Sequence, residues 1–218
     1  INGFDLEKNI LDPIWTDYSK RIYYSEYDIT SKLIKGMNCL GVTLGNGFYN
    51  PLPLKMWGRI NLRESLTVGK PRFIAKIIVT HQSGKTDEIV SDNSWKYNYG
   101  PILKNSVYLG THYDERKEIH NWKQADFDDT FWENAIISSP PGGKLQKAFF
   151  PPIQINRTIQ PQKIFATKDG KWIVDMGENF TGTYSIKLGG QSGDKIIFRF
   201  GERIYPDNSL NPMTSVTG

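Results

Sequence analysis

The chain has 218 residues, of which 38% are hydrophobic and 23% are charged, and its formal net charge is +4. These values are ordinary for a globular protein that is long enough to bury more than one hydrophobic core. The basic residues are dispersed, so the sequence does not indicate a nucleic-acid or membrane-surface patch, and no apolar stretch is long enough to span a membrane.

Runs of alternating apolar and polar residues recur along the chain and predict strands. Residues 73–80 form the clearest run, and two more cover residues 184–188 and 196–200. Turn sequences rich in Gly, Asn, Asp and Ser punctuate these runs. One of them, Lys168-Asp-Gly-Lys171, lies between two apolar stretches and therefore predicts a β-hairpin.

Helix signals are weak and fall only in connections. Residues 28–36 predict one or two helical turns, with Gly36 placed as a C-cap, and residues 126–134 predict another short turn. Strands at a spacing of roughly eight to twelve residues, with helices only between them, predict an all-β sandwich or jelly roll.

A domain boundary is predicted near residues 158–162. A loop rich in Pro and Gly covers residues 138–143, and residues 151–158 then resemble the last strand of a domain. We therefore expect a jelly roll over residues 1–160 and the first strands of a second β-sandwich over residues 161–218. The second segment is too short to complete a typical sandwich.

Asn46 lies in the motif Gly45-Asn-Gly-Phe-Tyr49, which follows an apolar run. Gly and Asn adopt positive φ readily, so one interpretation of this motif is a structural turn. The alternative places the Asn46 amide at a loop tip, where it could meet a sugar hydroxyl or a calcium ion. An amide offers both donors and an acceptor, which suits the vicinal hydroxyls of a sugar.

Oxygen donors for a cation also occur in other loops. Asp12 and Asp17 flank Trp15, and Pro101 has no backbone N–H but keeps a carbonyl that can bind a cation. The spacing is not that of an EF-hand, so any calcium site would be assembled from separate loops. The alternative for Gly100-Pro101 is a plain turn.

Glycoside hydrolysis requires two carboxylates on opposite sides of the scissile bond. Four acidic residues in the second segment are candidates, but all occur in strand and turn contexts without visible pairing: Asp175, Glu178, Glu202 and Asp207. No metal-binding histidine spacing, nucleophile elbow or phosphate-cradling loop is present. The residues alone therefore indicate tandem β-sandwich segments that are related to carbohydrate.

Taken in chain order, the motifs resemble the N-terminal region of bacterial α-L-rhamnosidases, glycoside hydrolase family 78. The first domain's matches are Leu11-Asp-Pro-Ile-Trp-Thr-Asp-Tyr18, Tyr23-Tyr-Ser-Glu-Tyr-Asp-Ile-Thr30, Gly45-Asn-Gly-Phe-Tyr49, Ser94-Trp-Lys96, Gly100-Pro-Ile102, Tyr113-Asp-Glu-Arg116 and Phe127-Asp-Asp-Thr-Phe-Trp132. Asp175-Met-Gly-Glu-Asn-Phe-Thr-Gly182 and residues 201–210 resemble the start of the next family domain. The chain departs from the family pattern at Phe48, which replaces a Trp, at Glu178, which replaces a Gln, and at Asn208, which replaces a Gly.

The resemblance implies a galactose-binding-like jelly roll followed by the first strands of a concanavalin-like β-sandwich. It also implies that the catalytic acid and base lie in a downstream (α/α)₆ barrel that this chain lacks. We therefore assign no catalytic residue, and we expect the parent protein to be a bacterial glycosidase of carbohydrate metabolism while this segment alone is inactive.

Some members of the family use the first jelly roll to bind rhamnose with the help of calcium. Carried over by motif, this implies that Asn46 and Gly47 contact the sugar and that Trp57 offers a stacking ring. The implied calcium ligands are Asp17, Asn98 and Pro101. Asn46 is neutral where some members have Asp, which lowers the negative charge available to a cation.

Three hypotheses follow. The segment is a structural β-module of an α-L-rhamnosidase, or its first domain is a calcium-dependent L-rhamnose-binding module, or it is a jelly roll from another multidomain glycosidase. The expected partners are a rhamnose-containing carbohydrate and the protein's own downstream catalytic domain. The expected location is the periplasm or the bacterial exterior, with the cytoplasm as the alternative.

Overall fold

Two compact units, Ile1–Pro152 and Ile153–Gly218, make up the chain in the computed structural model. The structure describes residues 1–6 and 9–215. Within these residues, the first unit contains eleven strands: β1 (Asn9–Ile10), β2 (Arg21–Tyr24), β3 (Lys55–Met56), β4 (Ile60–Asn61), β5 (Lys76–Thr80), β6 (Thr86–Val90), β7 (Lys96–Tyr97), β8 (Ile102–Ser106), β9 (Gly110–Tyr113), β10 (Glu133–Asn134) and β11 (Lys144–Lys147). The described part of the second unit, residues 153–215, contains five strands: β12 (Ile153–Gln154), β13 (Lys163–Ala166), β14 (Trp172–Asp175), β15 (Arg203–Ile204) and β16 (Leu210–Asn211).

Helical structure is limited to short pieces within the described residues. The helix α1 (Leu62–Ser65) is one turn long, and Asn61 caps it because its side chain accepts a hydrogen bond from the Arg63 N–H at 3.1 Å. Three 3₁₀ turns complete the set: Thr30–Lys32, Glu115–Lys117 and Pro212–Ser215. The all-β prediction is therefore confirmed, and no helix among residues 1–6 and 9–215 is long and apolar enough to cross a membrane.

Antiparallel pairing between strands that are neighbours in sequence is the commonest arrangement in the first unit. The strands β3 and β4, β5 and β6, and β8 and β9 each form such a pair. The strands β7 and β10 also pair antiparallel, although they are distant in sequence.

The parallel pair β2–β11 brings distant parts of the first unit together, with Tyr23 opposite Gln146. Tyr23 is one of the most buried side chains, with 7% of its surface exposed. Its ring meets those of Phe149 and Phe150 at centroid distances of 5.9 and 4.9 Å, in edge-to-face arrangements. Such aromatic contacts add to the stabilisation from buried area, so this cluster anchors the end of the first unit's chain to β2.

The second unit confirms one hairpin predicted from sequence. The strands β13 and β14 pair antiparallel around residues 167–171, and Gly170 has φ +77°, as the predicted Asp-Gly turn requires. The strands predicted at 184–188 and 196–200 are absent from the structure, because neither run forms a backbone ladder. Ring contacts nevertheless bring the two runs together, because Tyr184 lies 5.3 Å from both Phe198 and Phe200.

The helix predictions were only partly right. Residues 28–36 contain a 3₁₀ turn rather than an α-helix, and the Asp28 carboxylate accepts the Thr30 N–H at 2.9 Å at its start. Residues 126–134 end in the strand β10 instead of a helical turn. There the Asp128 carboxylate accepts hydrogen bonds from the N–H and the hydroxyl of Thr130. Such local bonds between a side chain and the backbone stabilise a turn and compete with helix formation.

Candidate functional site

Two loops of the first unit, residues 11–18 and 45–50, lie side by side through their aromatic rings. Trp15 and Phe48 have ring centroids 5.1 Å apart, and Tyr18 meets Tyr49 edge-on at 5.2 Å. Trp15 keeps 45% of its surface exposed. The two contacts therefore hold the loops together and leave part of the Trp15 ring open to solvent.

Asn46 is fixed at this place by hydrogen bonds to the strand β8. Its backbone N–H donates to Oδ1 of Asn105 at 3.1 Å, and its Nδ2 donates to the Asn105 carbonyl at 2.9 Å. Nδ2 of Asn50 in turn donates to Oδ1 of Asn46 at 2.7 Å. An amide has two N–H donors and two acceptor positions, so one of each on Asn46 has no partner among the described residues.

Gly47 gives the loop an open backbone surface. Its φ is +49°, and a side chain added there would meet no heavy atom within 4 Å. The Asn50 N–H donates to the Asn46 carbonyl at 2.9 Å and closes the turn around it. The turn predicted from the Gly-Asn-Gly sequence is therefore present, and a ligand can approach the Gly47 backbone closely.

Trp57 lies on a different loop, the connection between β3 and β4. Its side chain is 59% exposed, and no ring or cation contact joins it to another described residue. Within the described part of the chain, no hydrogen bond or ring contact joins Trp57 to Asn46 or Gly47. Its role as a stacking ring for the same sugar remains a prediction.

Asp17 is strongly engaged inside its own loop. Its Oδ1 accepts hydrogen bonds from the Ser19 N–H at 3.1 Å and hydroxyl at 2.7 Å, and its Oδ2 lies 3.1 Å from the Lys20 ammonium. The hydrogen bond from the Ser19 hydroxyl, followed by the interaction with Lys20, lowers the pKa of Asp17 from 3.8 to about 2. A cation at Asp17 would have to compete with the Lys20 ammonium.

The other two predicted calcium ligands lie near the start of β8. Oδ1 of Asn98 accepts the Tyr99 N–H at 2.8 Å, and the Pro101 carbonyl accepts the Asp114 N–H at 2.9 Å. No hydrogen bond in residues 1–6 and 9–215 connects either of them to Asp17. All three oxygens are of the kind that calcium binds, and each has a partner within the chain. The calcium site that they would form together stays a prediction.

Three of the four acidic residues considered for catalysis support turns and an ion pair in the second unit. Asp175 accepts the Gly177 N–H at 2.8 Å, and Glu178 lies 2.7 Å from the Arg157 guanidinium. Asp207 accepts the Ser209 N–H at 2.9 Å and hydroxyl at 2.7 Å, and these bonds lower the pKa of its carboxyl. Each of these carboxylates has a local structural partner.

Sequence reasoning missed Asn105 and Tyr108, which complete the surroundings of Asn46. Tyr108 follows β8 and lies 6.2 Å from Phe48 between ring centroids, so three loops contribute rings to one cluster with Trp15. Their positions depend on the pairing of β8 with β9, which local patterns do not encode. The polar Asn105 within a strand was the available signal, because a strand amide often bonds to a neighbouring loop.

A shallow cavity of about 220 Å³ lies elsewhere in the first unit, lined by Gly3 and residues 118–124. Trp122 forms part of its wall, but the Lys123 ammonium lies 5.4 Å from the centre of that ring, and Trp132 packs 6.3 Å away. The ring is therefore partly covered by its own chain, which makes this cavity a weaker candidate than the surroundings of Asn46.

Comparison with known families assigns both parts of the chain. The model of the α-L-rhamnosidase N-terminal domain matches residues 1–157, and that of the bacterial α-L-rhamnosidase concanavalin-like domain matches residues 165–217. The chain therefore belongs to the α-L-rhamnosidase N-terminal domain family, and the resemblance seen in its motifs is confirmed.

Curated relatives carry the same family name. An α-L-rhamnosidase of Formosa agariphila is 33% identical over 90% of this chain and 20% of its own length. An α-L-rhamnosidase of Alteromonas sp. (strain LOR) is 34% identical over 94% of this chain and 22% of its own length. The chain thus spans about one fifth of the length of these relatives.

Solved structures share the fold. The structure of an α-L-rhamnosidase from Dictyoglumus thermophilum aligns with 96% of this chain over 22% of the length of its own chain. The TM-score is 0.74 and the sequence identity is 36%. The structure of the Streptomyces avermitilis α-L-rhamnosidase complexed with L-rhamnose aligns with 99% of this chain over 21% of the length of the enzyme's own chain. The TM-score is 0.84 and the sequence identity is 24%. These matches and the strand content confirm the predicted β-sandwich fold class.

Proposed function

We propose that this chain is the non-catalytic front part of an α-L-rhamnosidase that removes terminal L-rhamnose from glycosides or polysaccharides by inverting hydrolysis. The observation that carries the proposal is the succession of two rhamnosidase domains over residues 1–157 and 165–217. Relatives more than 30% identical bear the same enzyme name but are about five times as long. The catalytic (α/α)₆ barrel then belongs to a part of the protein outside this chain.

The chemistry of the described acidic residues supports a non-catalytic role. An inverting glycosidase needs an acid and a base about 6.5–9.5 Å apart, with room for water between them. Glu178 is paired with Arg157, and Asp175 and Asp207 accept hydrogen bonds within their own turns. Through these contacts the three carboxylates stabilise local structure.

The test compares this chain with the complete gene product on an aryl α-L-rhamnoside. We expect turnover by the complete product, with β-L-rhamnose as the first anomer seen by proton NMR because the configuration inverts. This 218-residue chain should show no turnover. Hydrolysis by the short chain at a comparable rate would overturn the proposal, as would a complete product inactive on α-L-rhamnosides.

The arrangement around Asn46 favours a second function, the binding of L-rhamnose by the first unit. The Asn46 amide is held in place by Asn105 and still has one donor and one acceptor without a partner among the described residues. It lies beside the open Gly47 backbone and close in sequence to the half-buried Phe48, whose ring contacts the exposed ring of Trp15. Amide groups beside an aromatic surface suit a sugar, which presents hydroxyls at its edge and C–H groups on its face.

Calorimetric titration of the chain with L-rhamnose tests this second function, once with calcium chloride and once with chelator. Binding in both solutions would assign the sugar to the protein's own groups, whereas binding lost on chelation would support the predicted calcium site. The variant Gly47→Asn, which places a side chain on the open backbone at a φ that Asn tolerates, should weaken binding. The matched control is Gly84→Asn, at another open glycine of positive φ. The absence of binding heat from the folded chain would overturn the function.

A further inference from the structure

The connection between β3 and β4 is a tight three-residue loop that projects an indole. Met56 and Ile60 are opposite each other, and the loop between them reads Trp57-Gly58-Arg59. The Gly58 N–H donates to the Lys55 carbonyl at 3.3 Å, and the Arg59 N–H donates to the Met56 carbonyl at 3.1 Å. These bonds fix the backbone of the loop, which we call the hairpin tip, defined as residues 55–59.

Trp57 occupies a backbone conformation that its side chain disfavours. Its φ is +49°, and the next residue, Gly58, has φ +72°. Hairpin turns with two successive positive φ values normally carry Asn, Asp or Gly, and a bulky residue there is a true outlier. Strained conformations of this kind cluster at binding sites, and the Trp57 ring is 59% exposed without a described contact that would explain its presence.

The hairpin tip is also uniformly basic. Lys55 and Arg59 are exposed, and neither forms an ion pair within residues 1–6 and 9–215. Residues 51–63 contain no Asp or Glu. Their third cation, Arg63, is occupied elsewhere, since its Nη1 donates to the Pro51 carbonyl at 2.7 Å and to Oδ1 of Asn50 at 3.1 Å. Two unpaired cations therefore flank one exposed indole.

We propose that the hairpin tip binds an anionic polysaccharide, one that carries carboxylate or sulfate groups. Arg59 and Lys55 supply charge-assisted hydrogen bonds to the anionic groups, and the Trp57 ring packs against the apolar face of a sugar. The inference rests on the proposed function, which supplies a carbohydrate as the substrate, and it adds that this carbohydrate carries negative charge. A membrane surface suits the tip less well, because interfacial anchors are built on amphipathic helices with a broad apolar face.

The test measures binding of the full 218-residue chain to polygalacturonate and to its methyl-esterified form, which has the same backbone without the charge. We expect binding to polygalacturonate at low salt, at least about tenfold tighter than to the ester and weaker as salt is added. Equal affinity for the two polymers, or binding to neither, would overturn the proposal.

Two variants of the hairpin tip assign the binding to its residues. Lys55→Ala combined with Arg59→Ala should weaken binding about tenfold, and Trp57→Gly should also weaken it while keeping the loop, because Gly accepts the positive φ. The matched control removes two exposed charges elsewhere, at Lys35 and Lys70, and should change binding less than twofold. An equal loss in the control would overturn the proposal in favour of a general charge effect.

Two further measurements separate this proposal from membrane binding and from the proposed function. Tighter binding to vesicles of phosphatidylserine and phosphatidylcholine than to polygalacturonate would overturn it and favour a membrane. Hydrolysis of an aryl α-L-rhamnoside by the complete gene product is measured independently. If the complete gene product hydrolyses the rhamnoside but the chain does not bind polygalacturonate, the hairpin-tip proposal is overturned and the proposed function is unaffected.

Discussion

Asn46 and Asn105 are joined by two hydrogen bonds, one through the backbone N–H of Asn46 at 3.1 Å and one through its side-chain amide at 2.9 Å. The two residues are 59 positions apart in sequence, so the pair ties the loop at 45–50 to the strand β8. The same amide is the central group of the candidate sugar site. Asn46 therefore supports the loop and, if the binding proposal holds, contacts the ligand.

Replacement of Asn46 by Ala should lower the free energy of unfolding by about 1–3 kcal/mol. The change leaves the Asn105 carbonyl and the Asn50 amide without their bonds at partly buried positions. Urea unfolding measures the change. The control is Asn98→Ala, because Asn98 is exposed and, among the described residues, its side chain bonds only to the N–H of the next residue, so its effect should stay within about 0.5 kcal/mol. Equal midpoints for the two variants would show that Asn46 does not support the loop.

Replacement of Trp57 by Asn should stabilise the first unit by about 1 kcal/mol. Asn tolerates the φ of +49° that Trp57 adopts, and removal of an indole that is 59% exposed sacrifices little buried area. Thermal unfolding measures the change. In the control, Trp172→Asn, an indole that is 70% exposed is removed from the strand β14, where Asn is a poor strand former, so the melting temperature should stay or fall. A fall at both positions would contradict strain at Trp57.

Turns were the features of the fold that could best be predicted from the sequence, whereas the pairing of distant segments could not be predicted from it. The Asp-Gly turn at 168–171 and the Gly-Asn-Gly turn at Asn46 follow from residues that adopt positive φ. The turn at Trp57 could not be predicted in this way, because Trp is not a positive-φ residue. The two flanking strands have two residues each, which is too few for alternation to appear.

The candidate site illustrates the same division. The motifs identified Asn46 and Gly47, but the bond to Asn105 depends on the course of β8, 59 residues further along the chain. The motif also suggested Asp17 as a metal ligand, whereas its neighbours Ser19 and Lys20 already occupy its oxygens. Local hydrogen bonds of this kind compete with any ligand, and the residue type alone does not reveal them.

Asp17 should titrate well below an ordinary aspartate. Its pKa is lowered from 3.8 to about 2, chiefly by the Ser19 hydroxyl and then by Lys20. A lowered folded-state pKa means that the unfolded chain binds more protons, so the stabilisation is present above about pH 4 and is lost as the pH falls through 2. Ser19→Ala should therefore raise the pKa of Asp17 more than Lys20→Ala does.

Carbon-detected NMR of the Asp17 carboxyl through an acid titration measures these shifts. Asp114 is the internal control, because its pKa is also lowered to about 2 but by the Arg116 side chain. Neither the Ser19 nor the Lys20 variant should move the midpoint of Asp114. A larger shift of Asp17 in Lys20→Ala than in Ser19→Ala would show that the ion pair, rather than the hydroxyl, holds the carboxylate in its charged form.

Gly143 should be intolerant of any side chain because of the parallel pair β2–β11. A Cβ atom at this position would lie 2.5 Å from the Arg21 backbone nitrogen and 2.5 Å from the Tyr18 carbonyl oxygen. Backbone atoms cannot move aside without breaking the bonds that start the ladder, such as the one from the Gly143 N–H to the Tyr18 carbonyl at 2.9 Å. Gly143→Ala should therefore cost about 1–3 kcal/mol of unfolding free energy.

Denaturant unfolding of Gly143→Ala measures this cost, and Gly100→Ala provides the control. A Cβ atom at Gly100 would meet no heavy atom within 4 Å, and its φ lies outside the left-handed region. Alanine there should be neutral or slightly stabilising, because it restricts the unfolded chain. Matching stabilities for the two variants would contradict the close approach of residue 143 to β2, and with it the parallel pairing that anchors the end of the first unit.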